Sequence, residues 1–297
     1  MNSYIGKIGF IGVGLMGYSF IKRLSQANYH VNANDKDKNR LKLLNNLKNV
    51  SLSKTPSDIV NECDLIFICV DKTENVEKVV FGDDGILQNA SNNTIIVDLS
   101  TTSADKTIAF SKEVKFKKGV SWVDAPVSGG PTKALDGSLA IMIGGDQKNI
   151  ELISPVLNIL SSNFTHFGPV GSGQIVKMIN QILVLNNYAV LAEALSFAEG
   201  YGVDARKIPE ALSDGHAGSN LLTHLFPRMI NKDYDPQGYA TQIQKDLKMV
   251  CDLADQQNIP TPISSLTKQL FSILNNKSKQ KLDGTSIVKL FDKNKEF

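Results

Sequence analysis

"GFIGVGLMG", residues 9–17, is the stretch that decides the fold. It places three glycines at the spacing GxGxxG, directly after an apolar run with a strand pattern and directly before a segment with helical periodicity. Gly12 allows a tight turn, Gly14 lets the backbone approach a pyrophosphate, and Gly17 lets the helix pack close to the strand. The motif therefore predicts a strand–turn–helix unit that binds a dinucleotide at the start of the helix. A glycine-rich turn without a ligand is the alternative.

We assign the whole turn to cofactor binding: Gly12, Val13, Gly14, Leu15, Met16 and Gly17. Asp35 ends the next apolar run, 23 residues after Gly12. A carboxylate at this strand end accepts hydrogen bonds from the adenosine ribose hydroxyls, and its charge repels a 2′-phosphate. The sequence thus favours NAD, although the neighbouring cation Lys36 leaves NADP open.

The first half of the chain alternates short apolar runs, which favour strands, with longer amphipathic segments. The predicted strands are 7–11, 30–34, 65–70, 94–99, 121–125 and 139–144, and the predicted helices between them include 16–27, 38–47, 73–81 and 103–117. This alternation predicts a Rossmann-type α/β fold, a doubly wound parallel sheet with helices on both faces.

The second half changes character, because strand signals stop after 163–168. From Gly173 to about Gly202 an apolar pattern at helical spacing continues without proline, and beyond it prolines at 209, 227, 236, 260 and 262 mark the boundaries of shorter helices. We therefore expect a dinucleotide-binding domain over 1–168 and an all-helical domain for substrate binding or oligomerisation over 169–297, joined by a long helix.

Composition narrows the function classes. The chain has 297 residues with 32 basic and 30 acidic side chains, and its net charge of +2 favours neither nucleic acid nor a membrane surface. Three cysteines form no disulfide framework, the N-terminus does not resemble a signal peptide, and no apolar run approaches the roughly 20 residues of a membrane span. We expect a cytoplasmic protein. No metal-ligand spacing is present, and we interpret His216 as a loop residue.

Four stretches in this order and spacing carry a family resemblance: "GFIGVGLMG", "DAPVSGG", "GSGQIVKMINQ" and "QKDLKM". Together they resemble the β-hydroxyacid dehydrogenases over nearly the whole chain, and "KMINQ" and "HAGSNLL" are most similar to the tartronate semialdehyde reductases of that group. The resemblance implies an NAD(P)-dependent enzyme that interconverts a short β-hydroxyacid and its semialdehyde. It points to 2-hydroxy-3-oxopropionate reductase or 3-hydroxyisobutyrate dehydrogenase activity, and to a homodimer or homotetramer.

Lys177 is the candidate for proton transfer. With Asn180 and Gln181 it projects from one face of the long helix, because residues at i+3 and i+4 share a face. Periodicity alone leaves a solvent-facing lysine and a lysine held in a cleft both open. The resemblance implies that Lys177 is the general acid/base, accepting the hydroxyl proton in oxidation and returning it in reduction, while Asn180 and Gln181 orient the substrate. The 6-phosphogluconate branch carries asparagine where Gln181 stands, which argues against a sugar phosphate.

The resemblance also assigns a role to "DAPVSGG", because the matching stretch of the family follows the last strand of the cofactor sheet and forms a substrate loop. Ser128, Gly129 and Gly130 are expected to offer a hydroxyl and backbone amides to a substrate carboxylate. A simple turn before the strand at 139–144 is the alternative.

Other positions match the family on the cofactor side. Val70, Asp71 and Asn75 match the nicotinamide-facing segment, where the family commonly has Leu-Pro in place of Val70-Asp71. Thr101 matches a hydroxyl that contacts cofactor and substrate, with the N-cap of the helix 103–117 as its alternative. Lys245 matches a lysine that approaches the cofactor, whereas Asp246 and Lys248 are expected to be surface charges.

Three other functions stay open. The first is glyoxylate or succinic semialdehyde reduction, since a hydrophobic pocket separates such substrates by only about 1–3 kcal/mol. The second is a non-catalytic dinucleotide-binding protein, which the presence of Lys177 disfavours. The third is an imine reductase, in which Asp or Tyr generally stands at that position.

Overall fold

The computed structural model describes residues 6–277 and 282–292. The chain divides into two compact units, residues 1–177 and 178–297. The first unit contains one mixed sheet and the helices that cover it. Its strands are β1 (Ile8–Ile11), β2 (Val31–Asn34), β3 (Val50–Leu52), β4 (Leu65–Ile68), β5 (Ile95–Asp98), β6 (Ser121–Asp124), β7 (Val127–Ser128), β8 (Leu139–Gly145) and β9 (Ser161–Gly168).

In the described part of the first unit, the strands are accompanied by the helices α1 (Leu15–Gln26), α2 (Lys38–Lys42), α3 (Pro56–Val60), α4 (Thr73–Phe81), α5 (Ala104–Lys118), α6 (Gly130–Asp136) and α7 (Gln147–Leu160), with a 3-10 helix at Ile86–Gln88. The long helix α8 (Ser172–Gly200) joins the two units. The second unit continues with α9 (Ile208–Ala211), α10 (Asn220–Ile230), α11 (Ala240–Gln256) and α12 (Pro262–Lys277), and with 3-10 helices at Ala205–Lys207 and Gly284–Leu290.

The sheet has the order β3-β2-β1-β4-β5-β6-β8-β7, and β9 pairs with β8. The strands from β3 to β6 are parallel, which confirms the Rossmann-type core. Strand β8 runs antiparallel to β6 and β7, a mixed edge that the alternation of strands and helices did not predict. The order of the strands reverses between β1 and β4, and ligands of such sheets bind at the carboxyl ends of the strands on either side of this point.

Both faces of the sheet are buried. Successive side chains of a strand point to opposite faces, so each strand contributes to two apolar clusters. In β4, Leu65 and Phe67 join one apolar cluster with Phe10 and Phe20, while Ile66 and Ile68 join the opposite one. The near-continuous apolar runs in the sequence follow from this two-sided burial. The register aligns the strand ends, so that Asp98 of β5 lies opposite both Ile68 of β4 and Asp124 of β6.

The second unit packs a separate apolar core, in which Phe226, Phe271 and Ile287 are fully buried. Beyond Gly168 the described residues form helices and turns with one isolated bridge between Tyr239 and Asp283, which confirms the predicted end of the strand signals.

Two sequence-based boundaries were wrong. The predicted helix 38–47 ends at Lys42, because the asparagines at 45 and 46 are weak helix formers and favour turns. Pro227 lies inside α10 instead of at its end. A proline in a helix interior costs about 3 kcal/mol, and burial of Leu225, Phe226 and Met229 offsets that cost.

Candidate active site

The glycine turn between β1 and α1 has the geometry that the motif predicts. Gly12 has φ +102°, and a Cβ atom there would lie 2.2 Å from the carbonyl oxygen of Cys69. A Cβ atom at Gly17 would lie 2.0 Å from the carbonyl oxygen of Gly12. Gly14 is the N-cap of α1 and has no side chain that could occupy the N–H groups of the first turn. Such a helix start can accept an anionic group.

Asp35 is tied to this turn. The Val13 N–H donates to Asp35 Oδ2 at 2.6 Å, and only 6% of the Asp35 side chain is exposed. Arg40 Nη1 lies 4.0 Å from the same carboxylate, and Arg40 Nε lies 3.7 Å from Asp37. The cation nearest to the carboxylate is therefore an arginine from α2, a residue that the sequence analysis did not single out.

Hydrogen bonds from Val70 and Asn75 help to hold the segment after β4. The Val70 N–H donates to Ser100 Oγ at 3.0 Å, which links the ends of β4 and β5. Asn75 Nδ2 donates to Asp71 Oδ1 at 2.5 Å. Partial burial raises the pKa of Asp71, but the hydrogen bond from Asn75 and the nearby lysines outweigh it and leave that pKa below its usual value. Asp71 is thus anchored as a carboxylate in the place of the family's proline.

Thr101 lies in the half-buried loop between β5 and α5. The N-cap of α5 is Ser103, whose hydroxyl accepts from the Lys106 N–H at 3.5 Å. The alternative interpretation of Thr101 as the N-cap was therefore wrong, because the N-cap lies two residues further along the chain.

Lys177 lies beside the predicted substrate segment. Its Nζ donates to the carbonyl oxygen of Val127 at 2.7 Å, and the residue is only 7% exposed. Val127 and Ser128 form β7, whose residues pair with Ile141 and Ala140 of β8. The segment is therefore a short strand leading into α6, not an open loop. Gly129 and Gly130 follow with φ +136° and +76°, conformations that favour glycine.

Family models account for both units. The model described as the NAD binding domain of 6-phosphogluconate dehydrogenase matches residues 7–168. The model described as NAD-binding of NADP-dependent 3-hydroxyisobutyrate dehydrogenase matches residues 171–291. The chain belongs to the 3-hydroxyisobutyrate dehydrogenase family. It is an NAD(P)-dependent oxidoreductase of the β-hydroxyacid dehydrogenase group, which confirms the resemblance seen in the sequence.

Known proteins resemble this dehydrogenase over almost its full length. The 2-hydroxy-3-oxopropionate reductase of Escherichia coli is 33% identical over 96% of this chain and 97% of that protein. A probable mitochondrial 3-hydroxyisobutyrate dehydrogenase-like protein of Arabidopsis thaliana is 34% identical over 90% of this chain and 81% of its own length. In fold, the chain is similar to the 3-hydroxyisobutyrate dehydrogenase of Salmonella typhimurium, with a TM-score of 0.87, 24% identity and coverage of 96% and 99% of the two chains.

The dehydrogenase carries its remaining predicted site residues in the second unit. Asn180 Nδ2 donates to Gln181 Oε1 at 2.9 Å, and Gln181 Nε2 donates to Asp246 Oδ2 at 2.5 Å. Lys245 Nζ lies 3.1 Å from Asp246 Oδ1. The structure thus brings Asn180, Gln181 and Lys245 into one network around a carboxylate.

The expectation that Asp246 is a surface charge was wrong. It is 8% exposed, because it lies on the stripe that α11 buries, with Ile243, Leu247 and Val250 at i−3, i+1 and i+4. Lys248 lies off that stripe and is exposed, as expected, next to Asp252. The helical period could have revealed this difference.

Sequence reasoning also missed two fully buried carboxylates of the dehydrogenase, Asp98 and Asp124, at the ends of β5 and β6. Burial raises the pKa of Asp98 to about 7, and the charge of Asp124 adds to this shift. Burial raises the pKa of Asp124 to about 6, although backbone N–H groups that donate to it lower it. The signal was present, since an acid ends each of the apolar runs "TIIVD" and "SWVD".

Two other sequence expectations concern metal and membrane. Over residues 6–277 and 282–292, no group of three or more His, Cys, Asp or Glu side chains is arranged to hold a metal ion. Helix α8 is long and apolar enough to cross a membrane by length and composition, contrary to the expectation that no segment approaches this limit. This is weak evidence for a span, because the core helix of a soluble protein passes the same test.

Proposed function

We propose that this enzyme reduces a short acid semialdehyde to its β-hydroxyacid with NADH, as a 2-hydroxy-3-oxopropionate reductase or a 3-hydroxyisobutyrate dehydrogenase. The observation that carries the proposal is the placement of Lys177. Its buried amine lies 2.7 Å from Val127 O, next to the glycine-rich segment that resembles the family's substrate segment, in the unit that contains the glycine turn.

Lys177 is the general acid in reduction. Its ammonium donates a proton to the oxygen of the aldehyde, and in oxidation the amine accepts that proton from the hydroxyl. NADH, when bound, would supply the hydride. The Val127 carbonyl accepts one N–H of the Lys177 ammonium, a group that carries three N–H donors, and so holds the amine beside the segment proposed to bind the substrate. Ser128, Gly129 and Gly130 bind the substrate carboxylate, and the amides of Asn180 and Gln181 orient its remaining oxygen atoms.

Asp35 supports the choice of NADH over NADPH. Its carboxylate is held beside the glycine turn by the Val13 N–H, where it accepts hydrogen bonds from the ribose hydroxyls. A 2′-phosphate brought to this position meets the same negative charge. Arg40, which lies 4.0 Å from Asp35, is the group that would let NADPH bind if it turned toward the phosphate.

The experiment follows the oxidation of NADH and NADPH at 340 nm with a panel of semialdehydes: tartronate, methylmalonate and succinic semialdehyde, with glyoxylate as a shorter aldehyde. Wild type and Lys177→Ala are compared, with Lys106→Ala as the control, because Lys106 is an exposed lysine of the same unit. We expect turnover of one short semialdehyde with NADH. Loss of general acid catalysis lowers kcat by roughly 10²–10⁴-fold in Lys177→Ala, and the control keeps the wild-type rate.

Each other outcome contradicts part of the proposal. Turnover of only glyoxylate or succinic semialdehyde would assign that substrate instead. Binding of NADH without turnover of any aldehyde would favour a non-catalytic dinucleotide-binding protein. Wild-type activity in Lys177→Ala would show that Lys177 is not the general acid. A homodimer or homotetramer and a cytoplasmic location stay predictions, and light scattering checks the first of them.

A further inference from the structure

Asp124 is a fully buried carboxylate that the proposed reaction does not use. It ends β6, directly opposite Asp98 of the neighbouring strand β5. Burying two carboxylates side by side is costly, and such groups persist where hydrogen bonds satisfy them. The partners of Asp124 therefore show which part of the fold it supports.

The hydrogen bonds of Asp124 go to the start of α8. The Gly171 N–H donates to Asp124 Oδ1 at 2.7 Å, and the Gln174 N–H donates to Asp124 Oδ2 at 2.9 Å. The first N–H groups of a helix lack partners within the helix, and a negative charge at that end is stabilised further by the helix dipole. Asp124 thus fixes the first turn of α8 to the carboxyl end of β6. Gly173 permits this approach, since a Cβ atom there would lie 2.8 Å from Asp124 Oδ2.

Gln174 attaches the same turn to the loop after β5. Its Oε1 accepts from the Thr102 N–H at 3.1 Å, and its Nε2 donates to the Ser100 carbonyl at 2.8 Å. The side chain is fully buried. The first turn of α8 is therefore held by two adjacent strand ends, through its backbone at Asp124 and through a side chain at Gln174.

Lys177 lies one turn further along the same helix, at i+3 from Gln174. Its amine donates to the carbonyl of Val127, which follows Asp124 by three residues in the chain. The path from the Asp124 carboxylate through α8 to Lys177 and back through Val127 is a closed ring of covalent and hydrogen bonds. A shift of the start of α8 therefore changes the distance between Lys177 Nζ and the Val127 carbonyl oxygen.

We propose that Asp124, supported by Gln174, is a positioning residue that sets the direction of the Lys177 amine toward the reacting oxygen. The proposal rests on the general acid/base role of Lys177 proposed above. It requires that the carboxylate accept both N–H groups at once. In Asp124→Asn one oxygen becomes an NH2 group that faces a backbone N–H, so one of the two bonds is lost and the helix start is released.

The kinetic test compares wild type, Asp124→Asn and Asp146→Asn. Asp146 is the matched control, because its carboxylate also caps a helix of the first unit, α7, through the Lys148 N–H at 2.9 Å. We expect Asp124→Asn to lower kcat at least tenfold and to leave the KM for NADH within twofold. We also expect its primary isotope effect with 4-deuterated NADH to rise and its pH profile of kcat to shift. The control Asp146→Asn should match wild type in kcat, in the KM for NADH, in the isotope effect and in the pH profile.

These readouts separate positioning from loss of folded enzyme. A smaller active fraction lowers the rate but leaves the isotope effect and the pH profile unchanged, and that result would overturn the proposal. If Asp124→Asn does not fold, Gln174→Met serves as the second variant, since it keeps the volume and removes both side-chain hydrogen bonds. Gln174→Met is expected to show the same lower kcat, higher isotope effect and shifted pH profile. An unchanged isotope effect and pH profile in this variant would also overturn the proposal.

A measurement without turnover distinguishes failure of this inference from failure of the proposed function. Acetylation of Lys177 by an N-hydroxysuccinimide ester, followed by peptide mass spectrometry, is normalised to the exposed Lys106 of the same molecule. If the amine is released from the Val127 carbonyl, the normalised acetylation rate of Lys177 should rise at least fivefold in Asp124→Asn and Gln174→Met. It should not rise in Asp146→Asn. Equal rates in all variants would refute positioning even in an active enzyme, and raised rates in an inactive enzyme would refute only the catalytic role.

Discussion

Gly17→Ala is the change that tests the cofactor turn most directly. A Cβ atom at this position lies 2.0 Å from the carbonyl oxygen of Gly12 and 3.0 Å from its carbonyl carbon. Both are backbone atoms, so no side chain can rotate away. Carbon and oxygen atoms that are not bonded need at least about 3 Å, and α1 must therefore move away from β1 by roughly 1 Å. We expect strain of about 1–3 kcal/mol, the usual cost of overpacking.

The same movement displaces the start of α1, where the pyrophosphate is expected to bind. Loss of one hydrogen bond to a charged group costs about 1.5–3 kcal/mol, which raises the Kd for NADH roughly 10- to 100-fold. The strain lowers the Tm of the apoprotein by roughly 2–12 °C, at about 2–4 °C per kcal/mol for a unit of this size. Calorimetry measures the melting, and the fluorescence of bound NADH measures the Kd.

Gly14→Ala is the matched control in the same turn. A Cβ atom at Gly14 has only Arg40 Nη1 within 4 Å, at 3.6 Å, and the residue has φ −72°, which alanine adopts freely. We expect weaker NADH binding, because the methyl group projects where the backbone meets the cofactor, but a Tm within about 3 °C of wild type. Wild-type melting and binding in Gly17→Ala, or equal destabilisation in both variants, would refute the packing argument.

Two further predictions concern buried charges. Because burial raises the pKa of Asp98 to about 7, the folded state keeps a proton that the unfolded state releases, and this contribution to stability is lost as the pH rises from about 4 to about 7. Asp98→Asn should flatten the pH dependence of the unfolding free energy by up to about 1.4 kcal/mol per pH unit in urea titrations, and an unchanged slope would contradict it. Arg228→Ala should destabilise the second unit by about 3–5 kcal/mol in the same titrations, because it leaves the buried Asp283 without its cation 3.2 Å away. A loss below 1 kcal/mol would show that the backbone N–H donors to Asp283 suffice.

The fold was largely predictable because its signals are local. The helix 73–81 was predicted at its observed bounds, and the strands from β4 to β6 within two residues, since apolar runs bounded by polar residues reveal buried parallel strands. Strand β3 and helices α6 and α7 were not predicted. Val50–Leu52 is a short and mostly exposed edge strand with a weak apolar pattern, and the direction of β8 depends on pairing that the sequence does not encode locally.

The candidate site was predictable only where a motif or the resemblance marked it. Lys177 and the glycine turn were proposed in this way and stay predictions as site residues; the structure adds a hydrogen bond from the lysine to the Val127 carbonyl. Asp124 accepts from the Gln174 N–H, 50 positions away, and the Gln174 side chain donates to the Ser100 carbonyl, 74 positions away. No local sequence pattern predicts pairs at such separations. Asp246 differs, because counting helical turns from Ile243 would have placed it on the buried face of α11.

The attachment of α8 to the sheet has a consequence for how this enzyme can evolve. Every hydrogen bond described between Asp124, Gln174, Lys177 and Val127 lies within the unit that also contains the glycine turn. The proposed acid and the proposed cofactor turn would thus be inherited together, in one compact unit. Changes confined to the second unit would therefore leave the candidate acid, its carbonyl partner and the glycine turn in place.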